Sequence, residues 1–220
     1  MTPEPTVGST GAVGDVVDPR PVAAHEVLHR GAIFDLVRDR VDLGDAGTVS
    51  REYLDHPGAV AVVVLDDEDR VLMLRQYRHA VRARMWEIPA GLLDVVGEPA
   101  VDAAARELAE EADLTAARWD VLVDFATTPG ASNEALRVFV ARDVAAVPEG
   151  ERHERSGEEA EIVTRWVALD EAVALALAGE LHNPSAVVGI LAAAASRAGG
   201  WASLRAVDAP WPYRRGTLPT

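Results

Sequence analysis

Two periods of hydrophobic residues alternate along this chain, and they divide it into strands and helices. From His25, HEVLHRGAIFDLVRDRVDL is apolar at Ile33, Leu36, Val37, Val41 and Leu43. This partial alternation predicts one or two exposed-edge strands. AVAVVVLDDEDRVLMLRQYRH gives two strand-like runs joined by the acidic turn Asp66–Asp69, a hairpin signal. MWEIPAGLL predicts one short strand, ended by Pro89 and Gly91.

From Pro99 to Ala112 the period lengthens. Val101, Ala104, Ala105, Leu108 and Ala112 recur three and four apart, which makes one apolar helical stripe. Pro99 fits the first turn, where no intrahelical partner is needed for its missing N–H. Strands are predicted at Trp119–Phe125 and Leu136–Ala141, on either side of a turn at Thr128–Gly130. Pro148–Glu161 is polar and charged and predicts a long mobile loop. A strand near Ile162–Leu169 and helices at Asp170–Ala178 and Ser185–Ala198 follow, then an irregular tail. There is no internal repeat. Strands, one central helix, more strands and closing helices describe an α+β or sandwich-like α/β domain.

The chain has 220 residues, 49% of them apolar, enough for one domain with a real core. Its net charge of −15 leaves no broad basic footprint for nucleic acid. It contains no cysteine, which excludes disulfides, thiolate metal sites and cysteine nucleophiles. All 21 basic residues are arginine, so a Walker-type phosphate loop and a lysine Schiff base are excluded too. The opening segment lacks a basic start followed by an apolar run and does not read as a secretory signal. No aliphatic run approaches the ~20 residues that span a bilayer. The expectation is a cytoplasmic protein that binds neither membrane nor nucleic acid.

Arg106, Glu107, Glu110 and Glu111 crowd into six helical residues. Glu110 and Glu111 lie three and four positions after Glu107, so the three carboxylates share a face, and like charges at that spacing cost about 0.2–0.5 kcal/mol per pair. No Lys or Arg follows any of them at i+4. Two readings stand: an ordinary solvated face, or a site for divalent cations. Hard cations take carboxylate and carbonyl oxygens, and the preceding loop PAGLLDVVGEP can bring backbone carbonyls to this face.

The full pattern resembles a known family. Gly91-x6-Glu98-x7-Arg106-Glu107-Leu108-x-Glu110-Glu111-x-Asp113-Leu114 is similar to the Nudix box, G-x5-E-x7-R-E-U-x-E-E-x-G-U with U aliphatic. It departs in a loop one residue longer after Gly91 and in Asp113 at the final glycine. Asp can take the left-handed turn that glycine usually fills, at some cost.

The resemblance implies a Nudix fold, an α/β/α sandwich of mixed sheets preceded by an N-terminal β subdomain. The Pro-, Gly-, Ser- and Thr-rich opening reads as a disordered arm (1–21) and the end as an irregular tail (199–220); between them the resemblance implies the β subdomain for dimerisation and substrate (22–57) and the catalytic domain (58–198). It implies a Mg²⁺-dependent hydrolase of nucleoside diphosphate derivatives, with Mn²⁺ as a substitute. Glu107, Glu111, Glu110 and the Ala90 carbonyl would hold the cations. Arg106 would orient the glutamates for catalysis while paired with Glu98 and pointing away from the cations, and Gly91 supports the loop.

Over about His25–Pro184 the resemblance is closest to ADP-ribose pyrophosphatases, and Pro129, 16 residues after Asp113, fits that subfamily's marker proline. Arg51 and Arg78 are the implied diphosphate or ribose contacts, and Glu87 an adenosine contact. The implied general base is a glutamate of the 148–161 loop, among Glu151, Glu154, Glu158, Glu159 and Glu161, and the register favours Glu159, with Glu158 next. A homodimer with exchanged N-terminal strands would bring Arg51 to the neighbour's site. Hydrolysis of another nucleoside diphosphate sugar or dinucleotide, and a non-catalytic ligand-sensing module on the same fold, are the alternatives.

Overall fold

The computed structural model describes residues 13–155 and 160–214. Its strands are β1 (Val22–Arg30), β2 (Asp35–Asp42), β3 (Thr48–Asp55), β4 (Ala59–Val64), β5 (Arg70–Arg78), β6 (Ala83–Glu87), β7 (Ala90–Leu92), β8 (Leu114–Ala126), β9 (Ala135–Ala146) and β10 (Val163–Ala168). Its α-helices are α1 (Ala100–Ala112), α2 (Leu169–Leu177) and α3 (Pro184–Ala198). Three sheets result, ordered β1-β2-β3, β10-β5-β6 and β7-β4-β9-β8. β4 and β9 run parallel; the other pairs are antiparallel.

β4, AVAVVV, is buried at every position and so has no polar face. Successive residues point to opposite sides. Val60, Val62 and Val64 meet Ala103, Ala104 and Leu108 of α1 together with Phe139, whereas Ala61 and Val63 meet Met73, Val138 and the α3 residues Ala186, Ile190 and Ala193. The four-stranded sheet is thus the middle layer, with α1 on one face and α3 and the β5 sheet on the other. Gly189 sets the depth of α3: a Cβ there would stand 2.9 Å from a Val63 methyl. The α+β layering expected from the sequence is therefore the one observed.

Three expectations change in detail. MWEIPAGLL is not one strand but two, because Ile88–Pro89 carries the chain from β6 in one sheet to β7 in another. Pro99 is the residue before the helix, with extended ψ of 142°, not a member of its first turn. β8 and β9 are longer than predicted and pair along 114–126 and 135–146. α3 starts on Pro184 at its first position, with the Asn183 side chain accepting from the Ala186 amide.

At the N-terminus, residues 1–12 lie outside the described residues, and 13–21 carry neither helix nor strand. β1–β3 form their own antiparallel meander. Its last strand is fastened to the β8–β9 turn through Leu54 N–H to Ala131 O, Asn133 N–H to Leu54 O and the Asn133 amide to Asp55.

The tail is irregular up to Arg214 but well attached. Arg205 exchanges backbone hydrogen bonds with Val121 at the β8 edge. Arg137, only 3% exposed, pairs with both oxygens of Asp124, donates to the Ala209 and Pro210 carbonyls and lies under the Trp211 ring. Among the described residues, no helix is long and apolar enough to cross a membrane.

Candidate active site

The site begins with α1, which must bury one face against β4 and β9 yet carries four charged residues in its second half. Its buried positions are Ala103, Ala104, Leu108 and Glu111. A carboxylate is therefore part of the core-facing stripe. Glu111 is 7% exposed and accepts a hydrogen bond from the Ala90 amide at 3.0 Å. Burial pushes its pKa from 4.5 up to about 8; the Ala90 amide opposes this, Glu107 adds to it, Arg78 opposes it and Glu87 adds to it.

The chain path explains why these groups meet. β6 ends on Glu87 and β7 starts on Ala90, so Pro89 delivers a residue of each sheet to the same end of α1. Val62 N–H to Pro89 O and Leu93 N–H to Gly58 O mark residues 89 and 93 as facing β4. By the alternation of an antiparallel ladder, Ala90 turns its N–H and C=O away from β4, to the side where its N–H reaches Glu111. Gly91 is required by closeness: a Cβ there would stand 2.0 Å from the Glu107 carboxyl carbon.

Arg106 departs from expectation only in its direction. It does brace Glu98, through two bonds of 3.2 Å, but it does not point away from the acidic face. Its Nη1 also donates to Glu107 at 2.6 Å and to Glu110 at 3.2 Å. These bonds, with Glu98 the largest contributor, hold the guanidinium above its ordinary pKa. An arginine at i−4 relieves the repulsion that lacked a cation at i+4. It also splits the three glutamates: Glu111 is buried on Ala90, Glu107 lies over Gly91, and Glu110 is half-buried beside Arg106.

Arg78 and Glu87 come together directly. Arg78 donates from Nε at 2.9 Å and from Nη2 at 2.6 Å to the two oxygens of Glu87, which is 3% exposed. Both act electrostatically on Glu111. Arg51 stands elsewhere, exposed on β3 opposite Asp39 and bonded to the Ser50 carbonyl. Pro129 lies in the β8–β9 turn, on a cleft of about 760 Å³ shared with Phe125, Trp211 and Tyr213. Glu158 and Glu159 lie outside the described residues.

One arrangement escaped sequence reasoning. The predicted mobile loop is pinned over its first half, with Val147 N–H on the Asp113 carbonyl and Arg155 on both Glu110 O and the Asp113 carboxylate. The only signal was Asp113, the residue that breaks the motif.

With Arg106 on Glu107 and Glu110, no three His, Cys, Asp or Glu side chains among the described residues converge as a ready cation cage. The donors nevertheless suit a divalent cation. A buried carboxylate with a raised pKa, two further carboxylates near it and a carbonyl on the same side of β7 are hard oxygen ligands in surplus negative charge. A cation bound here would share Glu107 with Arg106.

A family model described as the NUDIX domain matches residues 55–187. The chain belongs to the Nudix family. An ADP-ribose pyrophosphatase of Mycobacterium tuberculosis is 46% identical over 186 residues, 84% of this chain and 88% of the relative. An ADP-ribose pyrophosphatase of Bacillus subtilis is 34% identical over 161 residues, 73% of this chain and 84% of that one. A crystal structure of an ADP compounds hydrolase superposes with a TM-score of 0.66 over 85% of this chain and 98% of the other, at 19% identity, a likeness of fold. The chain is thus a Nudix hydrolase close to the ADP-ribose pyrophosphatases, in a family whose hydrolases generally need a divalent metal.

Proposed function

We propose that this chain hydrolyses the diphosphate of ADP-ribose, releasing AMP and ribose 5-phosphate, with Mg²⁺ as cofactor and Mn²⁺ able to replace it. The observation that carries the substrate is the 46% identity, over most of both chains, to the Mycobacterium tuberculosis ADP-ribose pyrophosphatase. Water adds across the P–O–P link: its oxygen joins one phosphorus, and the bridging oxygen leaves with the other.

A divalent cation, when bound, would supply neutralisation of the diphosphate charge and a more acidic attacking water. Glu107, Glu111 and the Ala90 carbonyl would hold it, with Glu110 joining them directly or through water. Arg106 keeps Glu107 and Glu110 in place while anchored on Glu98. Gly91 keeps open the space that Glu107 occupies.

Arg78 offers a planar donor group to a phosphate oxygen. Glu87 serves the substrate through Arg78, since its own carboxylate is buried against that guanidinium. Pro129 limits the cleft at the β8–β9 turn. Glu159, with Glu158 as the second candidate, takes the proton from the attacking water. Arg51 belongs to the site of a second copy in a homodimer, a reading supported by the exposed Val22, Ile33 and Phe34 on the β1–β3 unit.

The test is a panel of ADP-ribose, other nucleoside diphosphate sugars and dinucleotides, each with Mg²⁺ and with Mn²⁺. kcat/KM for ADP-ribose is expected to exceed the others at least about tenfold, a difference of about 1.4 kcal/mol in transition-state binding. Similar values across several sugars would reject the assignment.

A further inference from the structure

We infer that Asp113 and Arg155 are a positioning pair for the reaction proposed above, and the inference rests on that reading. Asp113 ends α1 in the left-handed region, at φ 53° and ψ 37°, where glycine is the cheaper residue. What the side chain contributes is a contact. Arg155 Nη2 donates to its carboxylate at 2.6 Å, and Nε of the same guanidinium donates to the Glu110 carbonyl at 2.7 Å. One cation thus closes on the last turn of α1, at the helix end that favours positive charge.

The same residue holds the other end of the segment. Val147 N–H donates to the Asp113 carbonyl at 2.8 Å, and Arg152 Nε returns to the Val147 carbonyl at 3.2 Å. Residues 147–155 therefore form a strap fastened at both ends to Asp113. Between the fastenings, Glu151–Glu154 line a cleft of about 440 Å³ with Arg106 and Glu110. The turn so clamped is the one that bears Glu110 and Glu111. The pair sets where those two carboxylates stand relative to Arg106 and β7. It acts through them and touches no substrate.

Asp113→Gly separates this role from a merely structural one. Glycine removes the left-handed cost, so a purely structural residue predicts an equally stable and equally active protein. The positioning role predicts otherwise. In the full-length, metal-free protein, Asp113→Gly keeps or raises the melting temperature, while a Glu-specific protease cuts at Glu151 and Glu154 about tenfold faster. With Mg²⁺ and ADP-ribose, kcat falls about tenfold and KM stays within about twofold, because geometry and not binding is disturbed. Arg155→Ala gives the same pattern with the left-handed aspartate still in place, and it decides the matter if Asp113→Gly folds poorly. The double variant loses no more than either single one, and Arg155→Lys recovers part of the loss. Wild-type protease resistance and wild-type kcat in both single variants would overturn the proposal. If wild-type protein fails to cut ADP-ribose, the functional reading falls on its own, while the protease comparison still decides whether the pair clamps the strap.

Discussion

Glu111 on α1 and Ala90 on β7 are joined by a hydrogen bond of 3.0 Å from backbone amide to buried carboxylate. That bond ties the acidic helix to the point where the chain crosses between two sheets. It also places an ionisable group where the metal-free protein holds it at a cost.

The first consequence concerns pH. Glu111 has an ordinary pKa of 4.5, raised to about 8 in the folded chain mainly by burial. Between those values the folded state keeps a proton that the unfolded state has released. Stability therefore falls as pH rises through this window, and the full penalty is present above it. The melting temperature in EDTA is expected to decline from pH 5 to pH 8, and less steeply with saturating Mg²⁺. Glu111→Gln should flatten the EDTA profile. A wild-type profile in EDTA that is flat or rises over this range would contradict the burial of this charge.

Gly91→Ala tests the packing of Glu107. The added Cβ would meet the carboxyl carbon at 2.0 Å, and Glu107 must leave its place over β7. Because the side chain is the part that yields, the expected loss is in kcat with Mg²⁺, by more than about tenfold. The melting temperature should change by only a few degrees. Unchanged turnover would show that Glu107 does not act from that position.

Arg106 shares its charge among Glu98, Glu107 and Glu110. Arg106→Ala leaves these carboxylates facing one another, and losing charge-assisted bonds of this kind costs about 1–3 kcal/mol in the metal-free state. A bound cation replaces part of that charge. Mg²⁺ should therefore raise the melting temperature of the variant by more than it raises that of the wild type. Equal shifts would show that cation and guanidinium do not share ligands.

Much of this site can be read along the chain, because α1 is local. Its three-and-four spacing and the R-E-U-x-E-E run place Glu107, Glu110 and Glu111 one turn apart without any tertiary contact. The buried valines of β4 announce themselves in the same way, as an unbroken apolar run. What could not be read depends on side-chain direction or on partners far along the chain. A side-chain direction such as that of Arg106, one residue able to reach three carboxylates, leaves no periodic trace. Pro89 ends a strand in any reading, but only the sheet order shows that β6 and β7 join different sheets. The 147–155 strap resembles a free loop by composition, since its anchors on Asp113 and Glu110 lie more than 30 residues earlier. The tail hides its attachment likewise, in Arg137 and Arg205.

In the proposed reaction the carboxylates of α1 would hold a divalent cation for cutting ADP-ribose. The most direct test is Glu111→Gln, which keeps an oxygen for the Ala90 amide and removes only the charge. We expect the variant to fold, to melt higher than wild type in EDTA at pH 8, to bind Mn²⁺ at least about tenfold more weakly and to lose at least about 100-fold in kcat with Mg²⁺. A folded Glu111→Gln protein that binds Mn²⁺ and turns over ADP-ribose like the wild type would contradict a cation-holding role for Glu111.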